Sequence, residues 1–451
     1  MSDQPQQPQQ PTFDPDAAHQ AKPKLRRVRG FPVPVKTPDG QQQTLLGLAD
    51  AQQISSKMVA TAPGVQQILP QLDGTKSIDD IVSAVGQGLT VEFMQNFVAQ
   101  LDDAALIEGP NYEALVVQMK KDFDESDTLP PGSTAQFADA LVMQKLGKDA
   151  TEEQRQDLGP KEMASTFDTW IEQALSRADD PAFDTLPKAI VAPHVDYPRG
   201  WINYASVWGR LQTTDRPDRI VILGTNHFGT ATGVCACDKG FETPFGTSPA
   251  DTQLLDVIKS KLGADAEKLV EHRYDHEREH SIELQIPWIQ HCMGPTEAGG
   301  SHVPVLGILV HDPTVNDGAS YDGNGLAYQP FVDALKEALD EVGGTTLIVS
   351  SADLSHVGPA FGDQQPLTSD EERSKVETHD REMLQHVENN SPDDLVSSMS
   401  WQQNPTRWCS IGNMTAAMRV VEPESIRLLH YAGAVDQQGT TMVTHAAMVM
   451  N

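Results

Sequence analysis

Cysteine is scarce in this chain: four in 451 residues, at positions 235, 237, 292 and 409. So few thiols in so long a chain do not make a disulfide framework, and a reducing, cytoplasmic setting is expected. No apolar run reaches the roughly 18 residues that a membrane-spanning helix requires, so no membrane partner is expected. The opening MSDQPQQPQQP lacks the apolar core that a secretion signal needs. Positive charge is also short: 33 Lys and Arg stand against 64 Asp and Glu, a formal net charge of −31. Binding a phosphate backbone takes a basic surface, which argues against nucleic acid as a partner. Aromatic residues are 6% of the chain and hydrophobic ones 38%. That is modest, yet enough for real cores in the two or three domains that the length suggests.

What is present divides the chain into four parts. Residues 1–29 hold a tail rich in Gln and Pro, expected to be disordered to about residue 21 because it has little apolar surface to bury. Lys22, Lys24, Arg26, Arg27 and Arg29 follow, read as a solvated charge run. Residues 30–115 read as a small helical module. Ser77 with Asp80 predicts a capping box, and Thr90 caps a second helix with Val91, Met94, Phe97, Val98 and Leu101 on one face. ALIEGP then predicts a short strand, and helix, helix, strand suggests a winged-helix-like domain. Residues 116–186 read as a polar spacer that becomes a supporting helix at MASTFDTWIEQAL. From 187 to 451, apolar strands alternate with helical patterns, at 188–193, 218–224, 302–310, 345–351, 425–433 and 441–450. That alternation predicts an α/β domain: a mostly parallel sheet covered by helices on both faces.

Three of these strands run into chemically able residues. KAIVAP leads to His194, DRIVILG to His227, and TTLIVSS to Asp353 and His356. Ligands of open α/β sheets bind at the carboxyl ends of strands. One such histidine alone is more often structural; three strands delivering them to one edge mark a site. Cys409, in RWCSIGN, precedes an apolar helix. A lone cysteine is usually a small buried hydrophobe, but a thiolate there would join two imidazoles and leave positions open for water or substrate. Cys235 and Cys237 share a strand face and read as packing residues, although C-x-C spacing can also bind metal. His276–His280, HEREH, fits the H-E-x-x-H pattern of zinc metalloproteases. Those protease helices are apolar around their histidines, whereas HRYDHEREH is charged throughout and Pro287 follows closely, so this stretch is not expected to hold the metal.

The motifs APHVDY, VILGTNHFG, FETPFGTSPAD, EREHSIELQIPW, VPVLGILV, SSADLSHVG and WCSIGN occur in that order. The series resembles the Memo family, the B component of the AmmeMemoRadiSam set. The resemblance implies a fold similar to class III extradiol dioxygenases. It implies a metal held by His194, His227 and Cys409, with Asp353 and His356 beside it in catalytic roles. The ion implied is one transition metal, iron or copper first and zinc as a further option. Glu279, His280 and Glu283 of the E-H-S-I-E motif, together with Asp196, would stand next to the metal's ligands or face the substrate; a structural role at a helix start is the other reading of that motif. Three features depart from the family pattern. No alanine-glycine-aromatic pair precedes the supporting helix, Asp196 replaces the usual glycine after the APH motif, and Ser410 follows the cysteine where glycine is familiar. The function implied is a non-haem, dioxygenase-like oxidoreductase acting on a small molecule or peptide. The alternative is a non-catalytic metal-binding or scaffold partner of a radical-SAM protein. The segment LDGTKSIDDIV…FVAQLDDAALIEG is similar to PqqD-like peptide-recognition domains. A winged helix that reads DNA, disfavoured by its acidic helices, and a purely structural domain are the other readings of that module.

Overall fold

The computed structural model describes residues 11–36, 40–86, 88–296 and 301–451. It divides into two compact units, Met1–Glu125 and Ser126–Asn451. Among the described residues, no helix is long and apolar enough to cross a membrane.

In the first unit, β1 (Val28–Lys36), β2 (Gln42–Asp50) and β3 (Met58–Thr61) form an antiparallel meander. Three helices follow: α1 (Ile78–Val85), α2 (Val91–Asp103) and α3 (Pro110–Glu125). The Ser77–Asp80 capping box closes α1, and Thr90 caps α2 through the Phe93 amide. Met94, Phe97, Val98 and Leu101 are buried with Leu48, Val59 and Ile81, whereas Val91 stays 37% exposed. The winged-helix expectation is not met in its order of elements. The sheet precedes the helices, and the strand predicted at 105–110 is a single bridge from Ile107 to Leu25.

Two further readings of this region change. The first ten residues of the expected disordered tail lie outside the described residues. Of the rest, Ala18–Ala21 form a helical turn, and the buried Gln20 donates to Asp102 at 2.6 Å. The basic run is not uniformly solvated either. Arg26 is buried against Asp50 at 3.2 Å, donates to the Ala105 carbonyl, and lies 3.6 Å from the Tyr112 ring centroid. A buried guanidinium is tolerable because its donors are met in this way.

The predicted polar spacer is largely helical. Residues 116–125 complete α3, while α4 (Ser133–Leu146) and α5 (Glu152–Leu175) belong to the second unit. A Thr151–Gln154 capping box starts α5, and Met163, Phe167 and Ile171 along it are buried. Phe167 stacks on Trp288 with ring centroids 3.9 Å apart. The supporting helix expected at 163–175 is present, and it begins earlier, at Glu152, in polar sequence that read as spacer.

The main sheet contains β4 (Ala189–Ala192), β5 (Arg219–Gly224), β6 (Cys235–Ala236), β7 (Val305–Leu309), β8 (Thr346–Ser351), β9 (Asp353–Val357), β10 (Ile426–Val435) and β11 (Met442–Met450). The spatial order is β9-β11-β4-β8-β5-β7-β6, with β10 paired to β11. Neighbours β4, β8, β5 and β7 are parallel, but β6, β9, β10 and β11 join antiparallel. The mostly parallel sheet expected from the sequence is therefore a mixed one. A short loop, residues 436–441, joins β10 to β11, a connection open only to antiparallel strands.

Strand residues alternate between two buried faces. Ala189, Val191, Val221, Leu223 and Ile348 pack with α7 (Thr252–Leu262), α9 (Tyr328–Val342) and α12 (Ile411–Val421). Ile190, Ile220, Ile222 and Val349 are equally buried on the other face. There α6 (Tyr197–Trp208) packs on β4, β10 and β11. The neighbouring carboxyl ends of β4, β8 and β5 then converge at one edge.

Candidate metal centre

That edge assembles the site. His194 follows β4, His227 follows β5, and Asp353 opens β9 directly after β8. Cys409 arrives from the loop before α12, a helix that packs on β8 and β5. Gly412 permits this approach, since a Cβ there would lie 2.1 Å from the His311 carbonyl oxygen. The loop is tied to β9 by His356 N donating to the Thr406 carbonyl at 2.7 Å and Arg407 Nε donating to the His356 carbonyl at 2.8 Å.

One donor atom from each of His194, His227 and Cys409 lies within 4.8 Å of the other two. His194 is buried, and its Nδ1 donates to the Ser351 carbonyl at 2.9 Å. Since a carbonyl only accepts, the proton sits on Nδ1 and the Nε2 lone pair is left free, 3.3 Å from Cys409 Sγ. Glu279 does the same for His227: Oε1 accepts from Nδ1 at 3.0 Å and Oε2 from the His227 amide at 2.6 Å. Holding the far nitrogen fixes tautomer and ring orientation together, as partners behind metal-ligating histidines do. These three groups could hold one metal ion.

The charges are mutually supporting. Burial pushes the Cys409 thiol up, but His194, His356 and His227 outweigh it and bring the thiol well below its ordinary range. Burial likewise opposes ionisation of Asp353, and His194, His356 and His445 hold its carboxyl below the usual value. Glu279 is buried, yet His227 and His280 keep its carboxyl far below the usual range. Burial lowers His227, and Glu279 with Cys409 raises it well above its ordinary value.

A cavity of about 410 Å³ opens beside the cluster, lined by His194, His227, His280, Asp353 and His356 with Phe137, Leu284 and Phe361. His356 Nδ1 donates to the Leu354 carbonyl at 3.0 Å, which leaves Nε2 as an acceptor. His280 stacks on His227 with centroids 4.8 Å apart, and burial pushes its imidazole down to about 4. Its Nδ1 lies 3.3 Å from Glu279 Oε1.

Other candidates have different work. Asp196 lines the same cavity but is exposed; it caps α6 through the Arg199 amide at 3.2 Å and pairs with the Arg199 side chain. Glu283 is not among the residues that line this cavity. Its carboxylate accepts from the amides of Gly132, Ser133 and Thr134 and from the Thr134 hydroxyl, capping the start of α4. The HEREH stretch is not one helix: a 3-10 turn, Arg273–Glu277, is followed by Glu279 in extended conformation and a short helix, His280–Glu283. His276 is turned to the Cys235 carbonyl at 3.1 Å. Cys235 and Cys237 are buried, and burial raises both thiols, Cys237 to about 12.

Two supports escaped the sequence reading. Asn413 donates to the same Ser351 carbonyl at 2.7 Å, and Gln285 donates to the Pro193 carbonyl at 2.6 Å and to Ser351 Oγ at 2.8 Å. Both are amides inside apolar runs, SIGNMTAA and IELQIPW, and that mismatch was the available signal.

The sequence model of a family described as Memo-like protein matches residues 159–449, which include every residue of this cluster. The chain is 25% identical over 301 residues to a MEMO1 family protein of Methanopyrus kandleri, covering 65% of this chain and 89% of that one. It is 26% identical over 259 residues to one of Thermotoga maritima, covering 57% and 79%. A MEMO1 family protein of Pyrococcus horikoshii is 26% identical over 270 residues, covering 58% and 85%. With its site inside a match that spans more than half its length, the chain belongs to the Memo-like protein family.

Proposed function

We propose that this protein is a metal-dependent, dioxygenase-like oxidoreductase that holds one transition metal ion on His194, His227 and Cys409. The observation that carries the reading is the convergence of three donor atoms within 4.8 Å, with both histidines fixed from behind by Ser351 and Glu279. Two imidazoles and a thiolate suit iron or copper first, with zinc also within their chemistry. Such an ion would supply Lewis acidity and, for iron or copper, electron transfer.

The chain's own groups do the rest. His356 Nε2 takes a proton from a substrate hydroxyl, because its Nδ1 proton is held by the Leu354 carbonyl. Asp353 stabilises the imidazolium so formed, and its Oδ1 accepts the His194 amide at 3.0 Å, which steadies the ligand loop. His280, held neutral by burial, offers an acceptor to the same cavity. Phe137, Phe361 and Leu284 limit water around the reacting groups. The cavity accommodates a small molecule or the end of a peptide.

The test is oxygen uptake by the Fe(II)-loaded protein across a panel of catechols and related metabolites. Turnover that His356→Ala slows while the metal stays bound supports the reading; no turnover across the panel contradicts it. A thiolate where a carboxylate would give a harder site also favours soft ions, which supports the second reading, a non-catalytic metal-binding partner of a radical-SAM protein. In either case residues 30–115 would hold a peptide or that partner, and their acidic helices suit a basic surface.

A further inference from the structure

We propose that Asp380 is a positioning residue for this site, its buried carboxylate fixing both the loop that carries Cys409 and the strand that carries Asp353 and His356. The inference rests on the metal-site reading above. Asp380 lies on α10 (Asp370–Glu388) and is fully buried. Its Oδ1 accepts from Ser355 Oγ at 2.5 Å and Trp408 Nε1 at 2.7 Å. Its Oδ2 accepts from Tyr431 OH at 2.7 Å and Thr444 Oγ1 at 2.6 Å. These four donors come from β9, the loop before α12, β10 and β11.

The two oxygens serve different ends. Oδ2 joins two strands of the sheet. Oδ1 joins the residue immediately before Cys409 to the residue immediately before His356, and Trp408 Nε1 also reaches Ser355 Oγ at 3.2 Å, closing a triangle. A buried carboxylate is expensive to desolvate, and an apolar side chain would fill the same space. What an apolar residue could not do is hold two chain segments at a set separation through directional bonds.

The Cys409 loop needs such holding. Gln403, Asn404 and Arg407 all have positive φ, at 58°, 45° and 58°, a region that side chains other than glycine adopt only when their surroundings impose it. Asn404 brackets Trp408, accepting its amide at 2.8 Å and donating to its carbonyl at 2.9 Å. The Trp408 indole is then fastened to Asp380, so the direction in which Cys409 leaves the loop is set from the far side of β9.

The experiment compares full-length Trp408→Phe and Ser355→Ala, which disturb the Oδ1 side, with Tyr431→Phe, which disturbs the Oδ2 side, and with Asp380→Ala, which removes both oxygens. Three readouts are taken: the thermal melt, Co(II) binding followed by the thiolate-to-Co(II) absorption band, and the rate at which iodoacetamide alkylates Cys409 in metal-free protein, mapped by mass spectrometry. The Oδ1-side variants should weaken Co(II) by roughly tenfold or more, shift the band, and change the Cys409 alkylation rate by a similar factor. Tyr431→Phe should lower the melting temperature while leaving the band and the alkylation rate at wild-type values. Oδ1-side and Oδ2-side variants that differ in melting temperature alone would overturn the proposal. If Asp380→Ala does not fold, Trp408→Phe and Ser355→Ala decide it. If wild type binds no Co(II), the ligand assignment fails, and the alkylation rates still judge the positioning claim separately.

Discussion

Replacing Glu279 by Gln tests how the His227 ligand is aimed. The carboxylate accepts three bonds: His227 N at 2.6 Å, His227 Nδ1 at 3.0 Å and Ser281 N at 2.8 Å. Glutamine keeps one carbonyl oxygen and turns an amide NH₂ toward the remaining donor. If the oxygen stays with His227 Nδ1 and Ser281, the NH₂ faces the His227 amide, and one charged bond becomes a donor–donor contact. A hydrogen bond to a charged group contributes about 1.5–3 kcal/mol, so Glu279→Gln should destabilise the second unit by roughly that much. Its effect on the metal is larger in consequence. Loss of a carboxylate behind a ligating histidine typically weakens affinity by about 10–100-fold, equal to roughly 1.4–2.7 kcal/mol. Competition with a chromophoric chelator measures the affinity, and a urea melt of the metal-free protein measures the stability. A Glu279→Gln protein with wild-type affinity would refute the reasoning, because His227 would then be aimed by something other than this carboxylate.

Four further outcomes are expected. Asp50→Ala leaves the Arg26 guanidinium buried without its partner, and the first unit should lose about 3–5 kcal/mol in a urea melt. Gly412→Ala puts a methyl 2.1 Å from the His311 carbonyl oxygen, so α12 must shift; lower thermal stability and weaker metal binding should appear together. His276 is pushed below its ordinary value by burial. Below about pH 6.5 the unfolded chain takes a proton that the folded one refuses, so stability falls with pH from there. His276→Gln should therefore lose less melting temperature than wild type between about pH 7.5 and 5.5; equal losses would rule out this histidine as a source of acid sensitivity. His356→Ala should keep its metal by elemental analysis while oxygen uptake falls by roughly 10²–10⁴-fold.

The site was more legible than the fold around it, for a physical reason. His194, His227 and Asp353 follow apolar strands, so pattern alone placed them at one edge, whereas Cys409 joined them only through the family resemblance. Pairing direction leaves no such mark: β10 and β11 read as buried strands whether parallel or antiparallel. The second half of α5 was legible from Met163, Phe167 and Ile171, whereas its first half, EEQRQDLGPKE, is polar and read as spacer. The work of Glu283 and Arg26 depends on partners distant in sequence, Gly132 to Thr134 and Asp50. HEREH, set aside from the sequence for its charged surroundings, folds into a turn and a separate helix. Asp380 gave no signal at all, being one acid within the acidic stretch DEERSKVETHDRE.

The most direct test of the central claim is elemental analysis of the full-length protein purified from cells without added metal, beside four alanine variants. About one equivalent of a transition metal per chain is predicted for wild type, lost in His194→Ala and His227→Ala, since each removes one of three protein ligands. His276→Ala and His280→Ala should retain it. Full occupancy in the first pair, or loss confined to the second, would contradict the assignment of the site.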